Sequence, residues 1–273
     1  MRSCHAVRNG IAVVLALTIG GASAAAQGQA APKPYEPTVG QAGKDVVWVP
    51  TPQSLVDKML DMAKVTPQDF LMDLGSGDGR TVITAAKRGA RAMGVEYNPD
   101  MVALSLKNAE AAGVNGKASF VKADLFETDF SKATVITMFL LPDINLKLRP
   151  KILDLKPGTR VVSNSFTMGE WEADESETVE DGCTSWCTAH LWIVPAKVEG
   201  DWQLPEGTLT LDQEFQMVSG TLGSTAISGG RLRGEEISFS AGNVKYVGRV
   251  NGDTIQGTVT GGPGGTWTAR KRG

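Results

Sequence analysis

The stretch Asp73-Leu74-Gly75-Ser76-Gly77-Asp78-Gly79-Arg80 decides the fold, because it joins a short apolar run to a helical segment. Residues 70–74 predict a buried strand, and residues 81–88 predict the helix after it. Three glycines at alternate positions allow a sharp turn and a close approach of the backbone to a ligand. The helix N-terminus then offers free N–H groups and a partial positive charge. The stretch therefore predicts a ligand site at the end of a strand.

Alternation of short apolar strands and helices continues on both sides of this turn. Strands are predicted at residues 92–97, 118–123, 135–140 and 161–166, and helices at residues 52–65, 99–112 and 146–155. Thr51 and Asn98 are the predicted N-caps of two of these helices, since each precedes a proline. The pattern predicts an α/β fold, a Rossmann-like doubly wound and mostly parallel sheet. Ligands of such sheets bind beyond the carboxyl ends of the strands.

Acidic residues stand at three consecutive strand ends, namely Asp73, Glu96 and Asp124. The dinucleotide pattern G-x-G-x-x-G fails, because Arg80 occupies the position of its last glycine. An acid before the glycines repels a pyrophosphate and suits a cationic ligand. A carboxylate at Glu96 is placed to bind both hydroxyls of a ribose, and Asp124 to accept a hydrogen bond from an adenine amino group. One ligand accounts for all three acids.

These residues resemble the S-adenosylmethionine sites of class I methyltransferases, over roughly residues 47–171. More narrowly, the chain resembles the protein-lysine methyltransferases that act on the adenine nucleotide translocase and the ATP synthase c-subunit, with their bacterial relatives. The matching stretches are Val49-Pro50-Thr51-Pro52, Asp73 to Arg80, Gly94-Val95-Glu96, Ala133-Thr134-Val135, Leu140-Leu141-Pro142 and residues 156–163. The family usually has Tyr before Leu-Leu-Pro, where this chain has Phe139.

The resemblance implies S-adenosylmethionine as cofactor and methyl transfer to a nucleophile, with a protein lysine as one candidate acceptor. The cofactor-binding residues that we expect are Asp73, Gly75, Ser76, Gly77, Gly79, Glu96, Tyr97, Asp124 and Leu125. Residues 137–141 are either a wall of the methyl-transfer site or ordinary core, and the sequence identifies no general base. We expect a protein or small-molecule acceptor. A net charge of −3 argues against nucleic acid, because phosphate contacts require a basic surface.

Residues 1–26 have the pattern of a secretory signal peptide. Arg2 and Arg8 precede an apolar run at residues 11–19, and small residues come next, with candidate cleavage sites after Ala24 and Ala26. The apolar run is shorter than the roughly 20 residues that a membrane span needs. We therefore expect cleavage, a flexible lead-in over residues 27–44, and a periplasmic or secreted protein without a stable membrane span. Since S-adenosylmethionine is made inside cells, an exported non-catalytic binding or scaffold protein is the alternative function.

Cys183 and Cys187 are the cysteines that remain once the signal peptide is removed. In an oxidising compartment they are expected to pair, with free thiols as the alternative. A metal pair is disfavoured, because only His190 is nearby and a zinc site needs four ligands. We predict no metal site.

Two further segments differ in composition from the alternating region. Residues 170–181 carry seven acids and no base, which indicates either a solvated loop or a lip that attracts basic substrates. From about Glu199 the helical period disappears, and short alternating segments are separated by glycine-rich turns. We predict a methyltransferase domain at residues 45–198 and an antiparallel β domain or small barrel at residues 199–273.

Overall fold

The computed structural model describes residue 1, residues 4–6, residue 10, residues 35–262 and residues 264–272. The predicted signal peptide lies almost wholly outside these residues. Within them, no helix has the length and apolar character that crossing a membrane requires.

The helices are α1 (Gln53–Met62), α2 (Arg80–Lys87), α3 (Pro99–Ala111) and α4 (Pro142–Leu153). The first seven strands are β1 (Phe70–Leu74), β2 (Arg91–Glu96), β3 (Ala118–Lys122), β4 (Val135–Met138), β5 (Arg160–Asn164), β6 (Glu175–Thr178) and β7 (Thr188–Ile193).

These seven strands form one sheet in the order β3-β2-β1-β4-β5-β7-β6. Strands β1 to β5 are parallel, whereas β7 runs antiparallel to both β5 and β6. The strand order reverses between β1 and β4, and in such sheets the crevice at the reversal is where ligands bind. The predicted Rossmann-like, mostly parallel sheet is therefore confirmed.

Helices cover both faces of the sheet. On one face, an apolar cluster packs α1 and α2 against the strands, with Leu55 and Val82 fully buried. On the other, α4 packs with Leu148 and Ile152 beside two buried tryptophans, Trp171 and Trp192. Burial of such side chains contributes roughly 1.5–3 kcal/mol each, so these two layers hold the strand ends in place.

Two helix starts differ from the sequence prediction. The N-cap of α1 is Pro52 rather than Thr51, so no side chain caps this helix. Helix α4 begins at Pro142, four residues before the predicted Leu146, because a proline is well suited to the first helical position. Asn98 is confirmed as the cap of α3, where its side chain accepts hydrogen bonds from the N–H groups of Asp100 and Met101.

The described part of the predicted flexible lead-in is held in place, which corrects that expectation for residues 35–44. Gly40 N–H donates to the carbonyl of Trp48 (2.8 Å), and Trp48 N–H donates to that of Gln41 (2.9 Å). Lys44 forms an ion pair with Asp124. The sequence favoured flexibility because of its prolines, but backbone hydrogen bonds between Gly40, Gln41 and Trp48 and the distant ion pair with Asp124 order these residues.

The last eight strands form a closed antiparallel barrel in the order β10-β11-β12-β13-β14-β15-β8-β9. They are β8 (Gly200–Leu204), β9 (Gly207–Glu214), β10 (Met217–Leu222), β11 (Thr225–Arg233), β12 (Glu236–Ala241), β13 (Val244–Asn251), β14 (Thr254–Thr260) and β15 (Gly265–Lys271). Side chains fill the barrel interior, with the rings of Phe239, Tyr246 and Trp267 packed together. Of the two predicted forms, antiparallel sheet or small barrel, the structure is the barrel.

Candidate active site

The glycine turn after β1 lets neighbouring groups come close to its backbone. Gly77 has φ +53°, and a Cβ placed on it would lie 2.6 Å from Nε1 of Trp48. Gly79, the N-cap of α2, has φ +82°, and its Cβ would lie 2.7 Å from the ring of Phe120. L side chains rarely adopt such backbone conformations, and neither position has room for one. These glycines are required by the shape of the turn.

Arg80 clamps the outer side of this turn. Its guanidinium donates to both carboxylate oxygens of Asp78 and, at 2.8 Å, to the carbonyl of Thr51. The clamp ties the turn to the Val-Pro-Thr-Pro stretch before α1. Arg80 is a site residue that the sequence analysis used only as a mismatch to the dinucleotide pattern. Its position two residues after Asp78 was the available signal.

Asp73 lies under the turn and is 6% exposed. The hydroxyl of Thr137, its register partner on β4, donates to its carboxylate at 2.6 Å. Burial, with a smaller contribution from the charges of Asp78 and Glu96, raises the pKa of Asp73 to about 7 despite this hydrogen bond. A buried carboxylate among other acids favours a cationic ligand beside it, because a cation restores its charged form.

Glu96, at the end of β2, is oriented by two backbone donors. Gly77 N–H donates to Oε2 and Asn98 N–H donates to Oε1, each at 2.9 Å. Each carboxylate oxygen has further lone pairs, so the group remains able to accept from a vicinal diol. The carboxylate is thus fixed at the glycine turn, as a ribose contact requires.

Asp124 has a different environment from the one that the sequence predicts. Its Oδ2 is paired with Lys44, and its Oδ1 accepts from Phe126 N–H at 2.9 Å. The ammonium group of Lys44 also lies over the ring of Tyr97, 5.2 Å from the centroid. The predicted adenine contact of Asp124 therefore competes with an existing ion pair.

A cavity of about 530 Å³ lies at these strand ends. Of the nine predicted cofactor-binding residues, seven line it: Asp73, Gly75, Ser76, Gly77, Glu96, Tyr97 and Leu125. Gly79 and Asp124 lie outside its lining. Residues 41–51 form one wall that the sequence analysis did not assign to the site, and Trp48 and Lys44 belong to it. Phe139 and Leu140, from the predicted wall at residues 137–141, also face the cavity.

The two cysteines form a disulfide, Cys183–Cys187, which confirms the predicted pairing and excludes the metal alternative for this pair. The acidic segment, by contrast, fits neither predicted role well. Four of its seven carboxylates are ion-paired within the chain, among them Asp174 with Arg231 and Glu177 with Lys58. Residues 175–178 form the edge strand β6 rather than a solvated loop.

The cavity fits S-adenosylmethionine in size and in chemistry. Its volume lies within the roughly 300–1,000 Å³ usual for cofactor sites. Asp73 suits a cationic group, and Glu96 suits a ribose. Ser76 Oγ is buried beside the turn and has no hydrogen-bond partner among the described residues. These groups lie within one cavity, as a single elongated ligand requires.

Comparisons with known proteins place this chain among methyltransferases. A family profile described as the ANTKMT methyltransferase domain matches residues 73–175. The chain is 48% identical over 152 residues to a protein-lysine N-methyltransferase of Saccharolobus islandicus (strain REY15A), covering 55% of this chain and 94% of that protein. It is 34% identical over 119 residues to the adenine nucleotide translocase lysine N-methyltransferase of Mus musculus, covering 43% of this chain and 52% of that protein. The chain thus spans about half the length of this mouse relative.

Among solved structures, the chain resembles an RNA methyltransferase from Salinibacter ruber in complex with S-adenosyl-L-homocysteine. The identity is 47% and the TM-score 0.52, over 55% of this chain and 96% of that one. Fold and site together define a class I S-adenosylmethionine-dependent methyltransferase. The chain belongs to the family of the ANTKMT methyltransferase domain, with the protein-lysine N-methyltransferases as relatives, and its cofactor is S-adenosylmethionine.

Proposed function

We propose that this chain is an active enzyme that transfers a methyl group from S-adenosylmethionine to a lysine side chain of a protein. The observation that carries the proposal is the 48% identity to the Saccharolobus islandicus enzyme along 94% of its length. The cavity supports it, since the cofactor-side residues Asp73 and Glu96 and the apolar residues Phe139 and Leu140 line one continuous space.

When bound, the cofactor would supply an electrophilic methyl group on a sulfonium, and its neutral thioether would be the leaving group. The chain's residues then have three tasks. Asp73 balances positive charge beside the glycine turn, and Glu96 fixes the ribose and with it the orientation of the cofactor. The apolar wall at Phe139 and Leu140 excludes water from the acceptor amine. The acceptor arrives as an ammonium and has to release one proton to solvent water before transfer. Exclusion of water from the bound amine lowers its pKa and favours this neutral, nucleophilic form.

RNA is the competing acceptor, because the Salinibacter ruber protein is described as an RNA methyltransferase. Two features favour protein. The chain has a net charge of −3, whereas RNA phosphates require basic surface. Glu180 and Asp181, two exposed acids that follow β6 and precede the Trp186 loop, also repel a polyanion.

We further propose that the chain is exported and works outside the cytoplasm. The apolar run that follows Arg2 and Arg8 and precedes Ala24 and Ala26 supports export. The Cys183–Cys187 disulfide also supports it, since such bonds persist in oxidising compartments. Cell fractionation with mass spectrometry tests this proposal. We expect a mature N-terminus after Ala24 or Ala26 outside the cytoplasm, and full-length protein confined to the cytosol would contradict it.

Methyl transfer is tested with methyl-labelled S-adenosylmethionine and two acceptor pools, lysine-rich histones and ribosomal RNA. We expect label in the protein pool, located on lysine by mass spectrometry and lost in Glu96→Ala. Glu110→Ala is the matched control, because Glu110 is an exposed residue of α3. Label in RNA alone would overturn the lysine acceptor. Cofactor binding with no transfer to either pool would favour the scaffold alternative.

A further inference from the structure

Three aromatic rings come together at one end of the cofactor cavity. The centroid of Phe166 lies 5.9 Å from that of Phe139 and 5.1 Å from that of Trp186, and Phe139 and Trp186 are 6.1 Å apart. All three residues line the cavity that also contains Gly75 and Glu96. We call these three residues the aromatic triad.

Trp186 reaches the triad from a loop that is tied at several points. The Cys183–Cys187 disulfide closes this loop around it. Val179 N–H donates to the carbonyl of Cys187 at 2.9 Å, and the Ser54 hydroxyl of α1 donates to that of Gly182 at 3.1 Å. The indole is nevertheless 46% exposed, which is unusual for so large an apolar side chain. The loop thus holds a tryptophan at the mouth of the cavity rather than in the core.

Two residues of the triad are presented by left-handed backbone. Trp186 itself has φ +58°, and Ser165, directly before Phe166, has φ +59°. Residues with side chains adopt this conformation at a cost, and they cluster at sites where geometry serves function. Asn145, a buried residue of α4, donates to the carbonyl of Phe166 at 3.3 Å and holds that turn. The placement of both rings is therefore built into the fold.

We propose that the aromatic triad is the acceptor pocket, and that it receives the alkyl-ammonium side chain of the methyl acceptor with Trp186 as its outer wall. This inference rests on the proposed function and names the chemistry of its substrate site. Aromatic faces attract cations and pack against methylene groups. Glu180 and Asp181, exposed residues before the same loop, add attraction for a positive charge. An alkyl-ammonium chain is attracted both by the aromatic faces and by the acidic residues, whereas an RNA phosphate is attracted by neither.

The loop lies outside the part of the chain that matches the family profile. The match to the profile ends at residue 175, and Trp186 lies 11 residues beyond it. Trp186 is accordingly a substrate-positioning residue whose location depends on the disulfide.

The test uses two probes and protein saturated with S-adenosyl-homocysteine. One probe is the amide of Nα-acetyl-Nε-trimethyl-lysine, which has a fixed positive charge. The other is its neutral isostere, in which carbon replaces the side-chain nitrogen. Binding is followed by ligand-detected NMR titration. We expect the cationic probe to bind about 3- to 30-fold more tightly than the neutral one.

We expect Trp186→Ala to abolish this preference and Trp186→Phe to keep part of it. The double variant Cys183→Ser/Cys187→Ser should behave like Trp186→Ala, because the loop no longer fixes the indole. Met217→Ala is the matched control, since it removes a similarly exposed apolar side chain from the barrel. Circular dichroism confirms that each variant is folded.

A separate titration with S-adenosylmethionine distinguishes this inference from the proposed function. Normal cofactor binding by wild type and by Trp186→Ala, with equal affinity of wild type for the two probes, overturns the acceptor pocket and leaves the methyltransferase proposal standing. An unchanged preference in Trp186→Ala, or no probe binding by wild type, overturns it as well. Failure of wild type to bind the cofactor would instead contradict the proposed function.

Discussion

Asp73 is a buried carboxylate whose charge is unfavourable until a cation is bound. Burial raises its pKa in the folded protein to about 7, whereas the pKa of an aspartate in an unfolded chain is about 3.9. Because the folded pKa is the higher one, this group makes the protein less stable as the pH rises from about 4 to 7, and the full cost applies above pH 7. We expect a cationic cofactor to offset that cost when it binds.

Asp73→Asn is therefore expected to stabilise the free protein at pH 8 by up to about 4 kcal/mol, at roughly 1.4 kcal/mol per pKa unit, and to change its stability little at pH 4. Cofactor affinity should fall in the same variant. Urea denaturation at both pH values and calorimetric titration measure the two effects. A variant with the pH dependence of wild type would show that Asp73 is not the titrating group.

Glu96→Ala is expected to weaken cofactor binding at least about tenfold, since hydrogen bonds to charged groups contribute about 1.5–3 kcal/mol. Glu96→Gln keeps an acceptor for Gly77 N–H and should lose less. Isothermal titration with S-adenosylmethionine gives the dissociation constants. An unchanged value for Glu96→Ala would remove the ribose assignment.

At the residue scale, the sequence predicts features that depend on position along a strand. Asp73 and Glu96 are predictable because the strand ends of a parallel sheet meet at one edge. Asp124 is placed by the same argument, but its pairing with Lys44 depends on a contact across 80 residues. The sequence analysis does not predict Trp48 and Trp186 as site residues, because their positions also depend on contacts between residues far apart in sequence. Nothing local distinguishes an aromatic residue at a cavity mouth from one in the core.

At the scale of elements, Arg160 joins β5 to α1 and β1 at the edge of the sheet opposite the site. Its guanidinium pairs with Asp69 and donates to the carbonyl of Ala63, the C-cap of α1, at 2.8 Å. Burial alone would raise the pKa of Asp69, but hydrogen bonds from Arg160, Thr66 and Thr134 lower it overall. The carboxylate thus stabilises the fold above about pH 4, and that contribution is lost as the pH falls through its folded pKa.

Arg160→Ala is expected to destabilise the protein at pH 7 by about 3–5 kcal/mol, because it leaves a mostly buried carboxylate without its cation. The difference from wild type should shrink in acid, where Asp69 is protonated. Lys197→Ala is the control, since it removes an exposed ion pair with Asp154 and should cost at most about 1 kcal/mol. Chemical denaturation at several pH values checks both, and equal losses in the two variants would contradict the structural role of Arg160.

Elements with a local period were predictable, and those that depend on distant partners were not. Strands β1 to β5 are apolar runs separated by helices, so the alternation alone indicates them. Strand β6 is rich in carboxylates, which disfavours a strand prediction. It is held at the sheet edge by pairing with β7 and by the ion pair of Glu177 with Lys58. Barrel closure likewise rests on the pairing of β15 with β8, between residues far apart in sequence.

At the scale of the whole molecule, the barrel and the sheet share an interface rather than a bare linker. The ring of Phe215 stacks on Trp171 with centroids 6.1 Å apart. Gln216 donates from its side chain to the carbonyl of Glu172 at 2.8 Å. Arg231 of β11 pairs with Asp174, whose side chain is fully buried. Residues 35–273 accordingly form one compact unit.

Trp202 and Trp267 belong to the barrel core rather than to this interface. The indole N–H of Trp202 donates to the carbonyl of Val198 at 2.7 Å, and Trp267 packs against Phe239. Each is nearly fully buried among barrel residues. The barrel thus has a core of its own, which favours the predicted division near residue 199.

Truncation after Glu199 tests that division. We expect the remaining chain to fold and to bind S-adenosylmethionine within about threefold of wild type, because the residues that line the cavity lie between Gln41 and Trp186. It should be less stable, since loss of Phe215 exposes the large side chain of Trp171, and burial of such a ring contributes about 1.5–3 kcal/mol. Circular dichroism and thermal unfolding establish the fold, and calorimetric titration measures the affinity.

Phe215→Ala in the full chain is the control, because it removes the stacking contact alone and should reproduce part of the loss in stability with unchanged affinity. A truncated chain that is folded but no longer binds the cofactor would show that the barrel helps to build the site, and the division at residue 199 would then be wrong.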